Sequence, residues 1–235
     1  MISTLLANTP PDTQKGHIMQ FETDIGPAEF PIEHLIVAGW TGRDKTAVDH
    51  HIDELAELGV PAPSQTPLFY RVSNRLLTHA PKIQVLGSAS SGEAEPLLIR
   101  HNGEFWLGLA SDHTDRALEA HSVAASKQAC AKPCATTLWR WDRVSDRLDG
   151  LRIQSWIWEN DDWSLYQDGA LGQILPLDDL INGAGVGENA AMLCGTFAAI
   201  GGVRPASRFR ATLFDDVLGR EINMSYDTIP LPEIS

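Results

Sequence analysis

The chain has 235 residues, 43% hydrophobic and 21% charged, with 18 basic side chains against 31 acidic ones for a formal charge of −13. That length can bury a real core, and the acidic balance argues against binding DNA or RNA. No apolar run reaches the roughly 18 residues of a membrane span, and an odd set of cysteines (Cys130, Cys134 and Cys194) without framework spacing reads as reduced thiols in a cytoplasmic setting.

Residues 1–16 carry one short apolar patch, Leu5-Leu6-Ala7, followed by Pro10-Pro11, with no basic stretch ahead of it, and read as a loose arm rather than a secretion signal. Residues 17–235 read as a single domain, since no linker, repeat or low-complexity tract interrupts them. His17–Phe21 and Leu35–Ala38 have strand character, and Gly39-Trp40-Thr41-Gly42-Arg43 is a turn. Thr46-Ala47-Val48-Asp49 resembles a capping box opening a helix that runs to Leu58, with Gly59 and Pro61 as its stop. Val48, Ile52 and Leu55 form the apolar stripe of that helix. At about 100° per residue His51 falls on the inward side, with Glu54 beside it and His50 pointing to solvent. An inward histidine with a carboxylate one turn away suits a base and its orienting partner; it equally suits a core histidine satisfied by a boundary glutamate.

Pro61, Pro63 and Pro67 lead into the strand-like Leu68–Val72, where Arg71 is either an edge-strand arginine or a clamp for a carboxylate. Glu93 and Glu95 follow, two apart, a spacing that puts both side chains on one face of a strand. Pro96–Arg100 and Glu104–Ala110 make a hairpin about His101-Asn102-Gly103, returning the chain to Asp112 at a strand-to-helix corner. Like charges about 4 Å apart repel by roughly 4 kcal/mol at an effective dielectric near 20, and a hard divalent cation removes that penalty. Three converging carboxylates therefore read as a metal site, although Glu-x-Glu is also common on solvated strands. A helix from Thr114 or Asp115 is expected to reach Lys127 and Ala131 and to stop at Lys132 before Pro133.

Trp139–Trp141 and Ser155–Trp158 read as Trp-rich strands, suited to sheet packing or to stacking on a ligand. Leu177–Ile181 is a short helix. Ala190–Cys194 is a buried strand that runs into the polar corner Gly195-Thr196, and Arg208–Phe214 with Arg220–Ser225 form a last hairpin.

The order of these pieces resembles the fumarylacetoacetate hydrolase (FAH) superfamily over roughly residues 35–229. The Gly39–Arg43 turn precedes a His-x-x-Glu helix, His51 to Glu54. Phe69-Tyr70-Arg71 is similar to the family's Phe-x-Lys strand, and Glu93-Ala94-Glu95 matches its Glu-x-Glu. Ser111-Asp112-His113-Thr114-Asp115-Arg116 is similar to Asn-Asp-x-(Ser/Thr)-x-Arg, and Cys194-Gly195-Thr196 to a closing Thr-Gly-Thr turn. The departures are Arg71 for lysine, Ser111 for asparagine, Ala117 for aspartate, Phe197 for proline and a shortened Glu95–Asp112 stretch, which together indicate an outlying branch.

The resemblance implies an α+β, mostly β fold, a mixed β-roll or sandwich with a few flanking helices, usually dimeric; the Trp-rich strands offer such a homodimer an apolar surface. It implies Mg²⁺ or Mn²⁺ on Glu93, Glu95 and Asp112, and His51 with Glu54 as the water-activating pair. A family lysine about twenty residues past the aspartate fits Lys132, with Lys127 as its competitor or a solvated mid-helix residue. Arg71, Gly195 and Thr196 would contact a small-molecule carboxylate substrate. The implied activity is carbon–carbon bond hydrolysis in a 2-oxo or 2,4-dioxo acid. The alternatives are a lyase on the same scaffold (decarboxylase, dehydratase or isomerase) and a non-catalytic ligand-binding protein.

Overall fold

The computed structural model describes residues 16–57 and 62–234. Residues 1–15 of the expected arm at 1–16, and the expected helix stop at Gly59 and Pro61, lie outside the described residues. In chain order the elements are β1 (His17–Thr23), β2 (Ala28–Ile32), β3 (His34–Gly39), α1 (Lys45–Glu57), β4 (Leu68–Val72), β5 (Leu77–Thr78), β6 (Lys82–Leu86), β7 (Ser90–Ser91), β8 (Ala94–His101), β9 (Glu104–Ser111) and β10 (Thr114–Asp115). They continue as α2 (Arg116–Glu119), α3 (Val123–Ala129), β11 (Lys132–Pro133), β12 (Thr137–Arg140), β13 (Arg152–Glu159), β14 (Asp162–Ala170), α4 (Leu177–Ala184), β15 (Ala190–Leu193), β16 (Arg208–Asp215) and β17 (Arg220–Leu231).

Two sheets dominate. Eight strands run in the order β2-β1-β12-β9-β8-β15-β3-β4, and five in the order β14-β13-β16-β17-β6. The larger sheet is apolar on both faces, because successive residues of its central strands alternate between two cores. Leu97, Ile99, Leu35 and Val37 point to one core, which Met19, Phe21, Phe30 and Ile32 of the β1–β2 hairpin close; this is the interior of a curled sheet. Leu98, Ile36 and Met192 point to the other, against Ile153, Ile157, Phe209 and Leu213 of the five-stranded sheet and Leu177 and Leu180 of α4. This is the mostly β, α+β fold that the motif order implies.

The β8–β9 hairpin turns where expected, with Asn102 and Gly103 at φ 54° and 78°, the left-handed pair that a two-residue hairpin loop requires. The helix at 45–57 is capped differently from the expectation: Asp44 Oδ1 accepts from the N–H groups of Thr46 and Ala47 at 2.9 and 3.2 Å, so Asp44 is the cap and Thr46 lies inside the first turn. The single helix expected from Thr114 to Ala131 is two short helices. Asp115 caps α2, Ser122 caps α3, and each side chain accepts from the N–H three residues on. The chain leaves α3 at Cys130, and Lys132-Pro133 pairs with Leu77-Thr78 as a parallel strand.

Strand β14 is absent from the sequence reading. It pairs along β13 through a turn at Asn160-Asp161, both at positive φ. Trp156, Trp158 and Trp163 pack on this sheet face beneath arginines: Arg210 lies 4.4 Å from the Trp163 ring centre and Arg208 4.9 Å from that of Trp158. Among the described residues no helix is long and apolar enough to cross a membrane, and Cys130, Cys134 and Cys194 are buried free thiols.

Candidate metal and active site

Residue parity carries the acidic groups to one place. Glu95 shares its side of β8 with Leu97 and Ile99, and so faces the interior of the curled sheet. Asp112 lies just beyond β9, where its N–H donates to Glu93 O at 2.9 Å, tying the two strands together at the carboxylates. The ligand-bearing oxygens of Glu93, Glu95 and Asp112 all lie within 4.8 Å of one another. Glu95 and Asp112 are buried, at 2% and 0% exposure, and Glu93 is half-buried.

Cations surround this cluster. The Lys127 ammonium donates to Asp112 Oδ2. Lys132 Nζ lies 3.0 Å from Asp112 Oδ1 and donates to His113 O at 2.6 Å. Arg116 approaches Glu93 at 3.2 Å and donates to Glu119 and Ser91 at 2.8 and 2.7 Å. Each fixes an ionisation state. Burial alone would raise the Asp112 pKa; the two ammonium groups outweigh it and hold this carboxyl well below the usual range. Burial and the neighbouring Asp112 charge push Glu95 well above the ordinary glutamate value, a shift toward its protonated form. Burial would lower Lys127, but Asp112, Glu93 and Glu95 together raise it. In Lys132 burial wins, and its pKa is lowered.

The three carboxylates suit a hard cation. All their donors are oxygen, they converge, and the buried Asp112 Oδ1 is met by Lys132 without the alignment of a hydrogen bond. Glu93, Glu95 and Asp112 are thus the residues that would hold Mg²⁺ or Mn²⁺.

The other expected residues fall in different positions. Gly195, at φ 97°, sits where a Cβ would lie 1.7 Å from Thr41 Oγ1, and its N–H donates to Glu95 Oε2 at 2.8 Å. Thr196 Oγ1 donates to Ala94 O at 2.8 Å. Both residues of this corner thus hold the carboxylate strand in place. Arg71 stands on the opposite face of the large sheet from Glu95, donating to Ala184 O at 2.7 Å. Its neighbour Tyr70 faces the cluster instead, with its ring centre 5.7 Å from Lys127 Nζ. His51 and Glu54 belong to α1, but their side chains lie outside what the structure describes.

Two residues at the site escaped the sequence reading. Gln167 of β14 makes four hydrogen bonds: it accepts from Ala94 N and Ser155 Oγ at 2.9 and 2.8 Å and donates to Thr196 Oγ1 and Phe197 O at 2.6 and 2.9 Å. It ties the residue between the two glutamates to the Gly195-Thr196 corner. The only signal was a polar residue at a buried strand position, in a strand that went unrecognised. His113 is also buried, and burial, reinforced by Lys132 and Arg116, lowers its pKa to about 3, so it is neutral.

A family model described as "Protein of unknown function (DUF2848)" matches residues 38–226. No curated protein matches the chain. Among solved structures, a fumarylpyruvate hydrolase candidate from Burkholderia cenocepacia is 16% identical, with 99% of each chain covered and a TM-score of 0.62. Fumarylpyruvate hydrolase from Pseudomonas aeruginosa, in complex with Mn²⁺ and pyruvate, is 12% identical over 91% of this chain and 97% of that one, with a TM-score of 0.59. The 5-carboxymethyl-2-hydroxymuconate delta-isomerase of Mycobacterium smegmatis is 12% identical over 93% and 99%, with a TM-score of 0.57. The fold is the one these FAH-superfamily structures share.

Proposed function

The chain belongs to the DUF2848 family, and from that premise we propose that it is a divalent-metal-dependent enzyme that hydrolyses a carbon–carbon bond in a 2-oxo or 2,4-dioxo acid. The observation that carries this reading is the buried convergence of Glu93, Glu95 and Asp112 beside two lysines. Pyruvate and Mn²⁺ in the Pseudomonas aeruginosa structure support the substrate class.

Glu93, Glu95 and Asp112 hold the cation. A bound Mg²⁺ or Mn²⁺ supplies Lewis-acid polarisation of an oxo oxygen. His51, oriented by Glu54, takes a proton from water, and the water oxygen bonds to the second carbonyl carbon. The carbon–carbon bond then breaks, and its electron pair leaves on the 2-oxo fragment as an enolate that takes up a proton. Lys127 faces that charge and the substrate carboxylate, with Tyr70 as the wall beside it. The Gly195-Thr196 backbone borders the substrate. The same reading carries a homodimer: sedimentation at twice the sequence mass is expected, and a sharp monomer at micromolar concentration would contradict it.

The lysines divide the work. Family spacing singles out Lys132, and both ammonium groups are buried on Asp112, but Lys132 is fully enclosed and also donates to His113 O, while Lys127 retains 6% exposure. We therefore assign Lys127 to the substrate and Lys132 to holding Asp112. At saturating Mn²⁺, Lys127→Ala is expected to lower turnover by about 10²-fold or more, and Lys132→Ala to lower thermal stability and metal affinity first. A silent Lys127→Ala beside a folded, metal-binding, inactive Lys132→Ala reverses the assignment.

A lyase on the same scaffold is the second reading, favoured by the isomerase among the similar structures; it uses the same carboxylates and needs no attacking water. Turnover of a panel of 2-oxo and 2,4-dioxo acids with Mg²⁺ or Mn²⁺ tests the proposal. Two carbonyl products with water consumed support hydrolysis. A single isomerised, dehydrated or decarboxylated product supports the lyase. No reaction in a protein that binds both Mn²⁺ and a 2-oxo acid leaves only ligand binding.

A further inference from the structure

We propose that Tyr226 of β17 is a positioning residue for the metal ligand Asp112, acting through the residues on either side of it. This inference rests on the metal reading of Glu93, Glu95 and Asp112. Asp112 sits between Ser111 and His113, and one phenol holds both neighbours. Tyr226 Oη lies 2.9 Å from Ser111 Oγ and 2.9 Å from His113 Nδ1. The far nitrogen of that imidazole, Nε2, lies 2.9 Å from Ser90 Oγ. Ser111 Oγ also accepts from the N–H of Glu93 at 3.2 Å, so the same chain of bonds reaches a second carboxylate residue.

Every member is buried: Ser90, Ser111, His113 and Tyr226 lie between 0% and 4% exposed. Buried polar groups left without partners are costly, so the network holds one arrangement rather than several. Gly92 confirms how closely the phenol approaches. A Cβ there would lie 2.3 Å from Tyr226 Oη and 2.8 Å from Ser111 Oγ, so the residue preceding Glu93 has no side chain because the hydroxyl takes its space. Apart from these bonds, Asp112 is held at its main chain by Glu93 O and by Thr114 Oγ1 on its carbonyl, and neither fixes the directions of both flanking residues.

Tyr226 makes no hydrogen bond to the carboxylate oxygens, so its contribution is orientation. Groups bonded directly to metal ligands typically account for about 10–100-fold in affinity, and Tyr226 acts one bond further out, through Ser111 and His113. Removing the hydroxyl while keeping the ring, which packs 5.4 Å from that of Phe209, isolates that contribution from core packing.

The test is calorimetric titration of metal-free full-length protein with Mn²⁺, alongside thermal melting and the Mn²⁺ electron paramagnetic resonance spectrum. Tyr226→Phe is expected to raise the Mn²⁺ Kd by about 10-fold, the low end for groups behind metal ligands, and to change the spectrum of the bound ion. Met224→Ala, a core truncation on the same side of β17, is expected to lower the melting temperature while leaving Kd and spectrum as in wild type. Ser111→Ala, which removes one bond of the network, is expected to raise Kd by less and carries the test if Tyr226→Phe does not fold. Wild-type Kd in Tyr226→Phe, or in Ser111→Ala should it stand alone, overturns the inference while leaving the metal site intact. Wild-type protein that binds no Mn²⁺ overturns the metal reading and this inference with it.

Discussion

Glu95→Gln is expected to abolish turnover while leaving the protein folded. The reason lies in the ionisation state of the cluster. Without a cation, burial first and the Asp112 charge second shift Glu95 toward its protonated form, and a glutamine is close to isosteric with a protonated glutamate. Its side-chain oxygen can still accept from the Gly195 N–H, which Glu95 Oε2 meets at 2.8 Å. Metal-free stability should therefore move by less than about 1 kcal/mol. What the variant cannot do is shed a proton and become an anionic ligand. Removing one charged partner from a buried ionic cluster typically costs about 3–5 kcal/mol, or about 10²–10⁴-fold in cation affinity at 1.36 kcal/mol per tenfold. Melting in chelator and turnover at a Mn²⁺ concentration that just saturates wild type check the two halves. Wild-type turnover in Glu95→Gln would remove Glu95 from the site. Asp112→Asn is a less clean probe, because neutralising Asp112 leaves the Lys127 and Lys132 ammonium groups buried beside an uncharged amide.

The second large effect is at His51. His51→Ala is expected to lower turnover by about 10²–10⁴-fold, the usual loss when general-base help is removed, with Mn²⁺ affinity unchanged because His51 is not among the proposed ligands. Histidine suits the task because its ordinary pKa already lies near working pH, and Glu54 would set the tautomer that leaves one ring nitrogen free to accept a proton. Full activity in His51→Ala beside an inactive Glu95→Gln would remove the attacking water and leave the lyase reading in its place.

The sequence revealed where the three carboxylates meet because parity is a local property. Glu93 and Glu95 two apart, a hairpin at Asn102-Gly103 and Asp112 at its far end determine where three carboxylates meet, and no long-range information is needed. The curled sheet came through motif order rather than through strand patterns: β8, β9, β3 and β15 are apolar on both faces and carry no alternation to read. What stayed hidden depends on distant contacts. Gln167 reaches Ala94 across 73 residues and Tyr226 reaches His113 across 113, and no local pattern marks either as different from an ordinary strand residue. The helix expected over 114–131 failed for a local reason: Ser122 offers a second cap, and the chain takes it, breaking at Ala120–Ser122 so that Lys127 can face Asp112. Arg71 and Tyr70 point to opposite faces of an alternating strand, and it is Tyr70 that faces the cluster.

The central claim is that Glu93, Glu95 and Asp112 together hold one divalent cation. Calorimetric titration of metal-free protein with Mn²⁺ tests it most directly. The account predicts one ion bound per chain by wild type, and binding weakened by at least about 10²-fold in Glu95→Gln. Equal affinity for Mn²⁺ in wild type, Glu95→Gln and Asp112→Asn would contradict it.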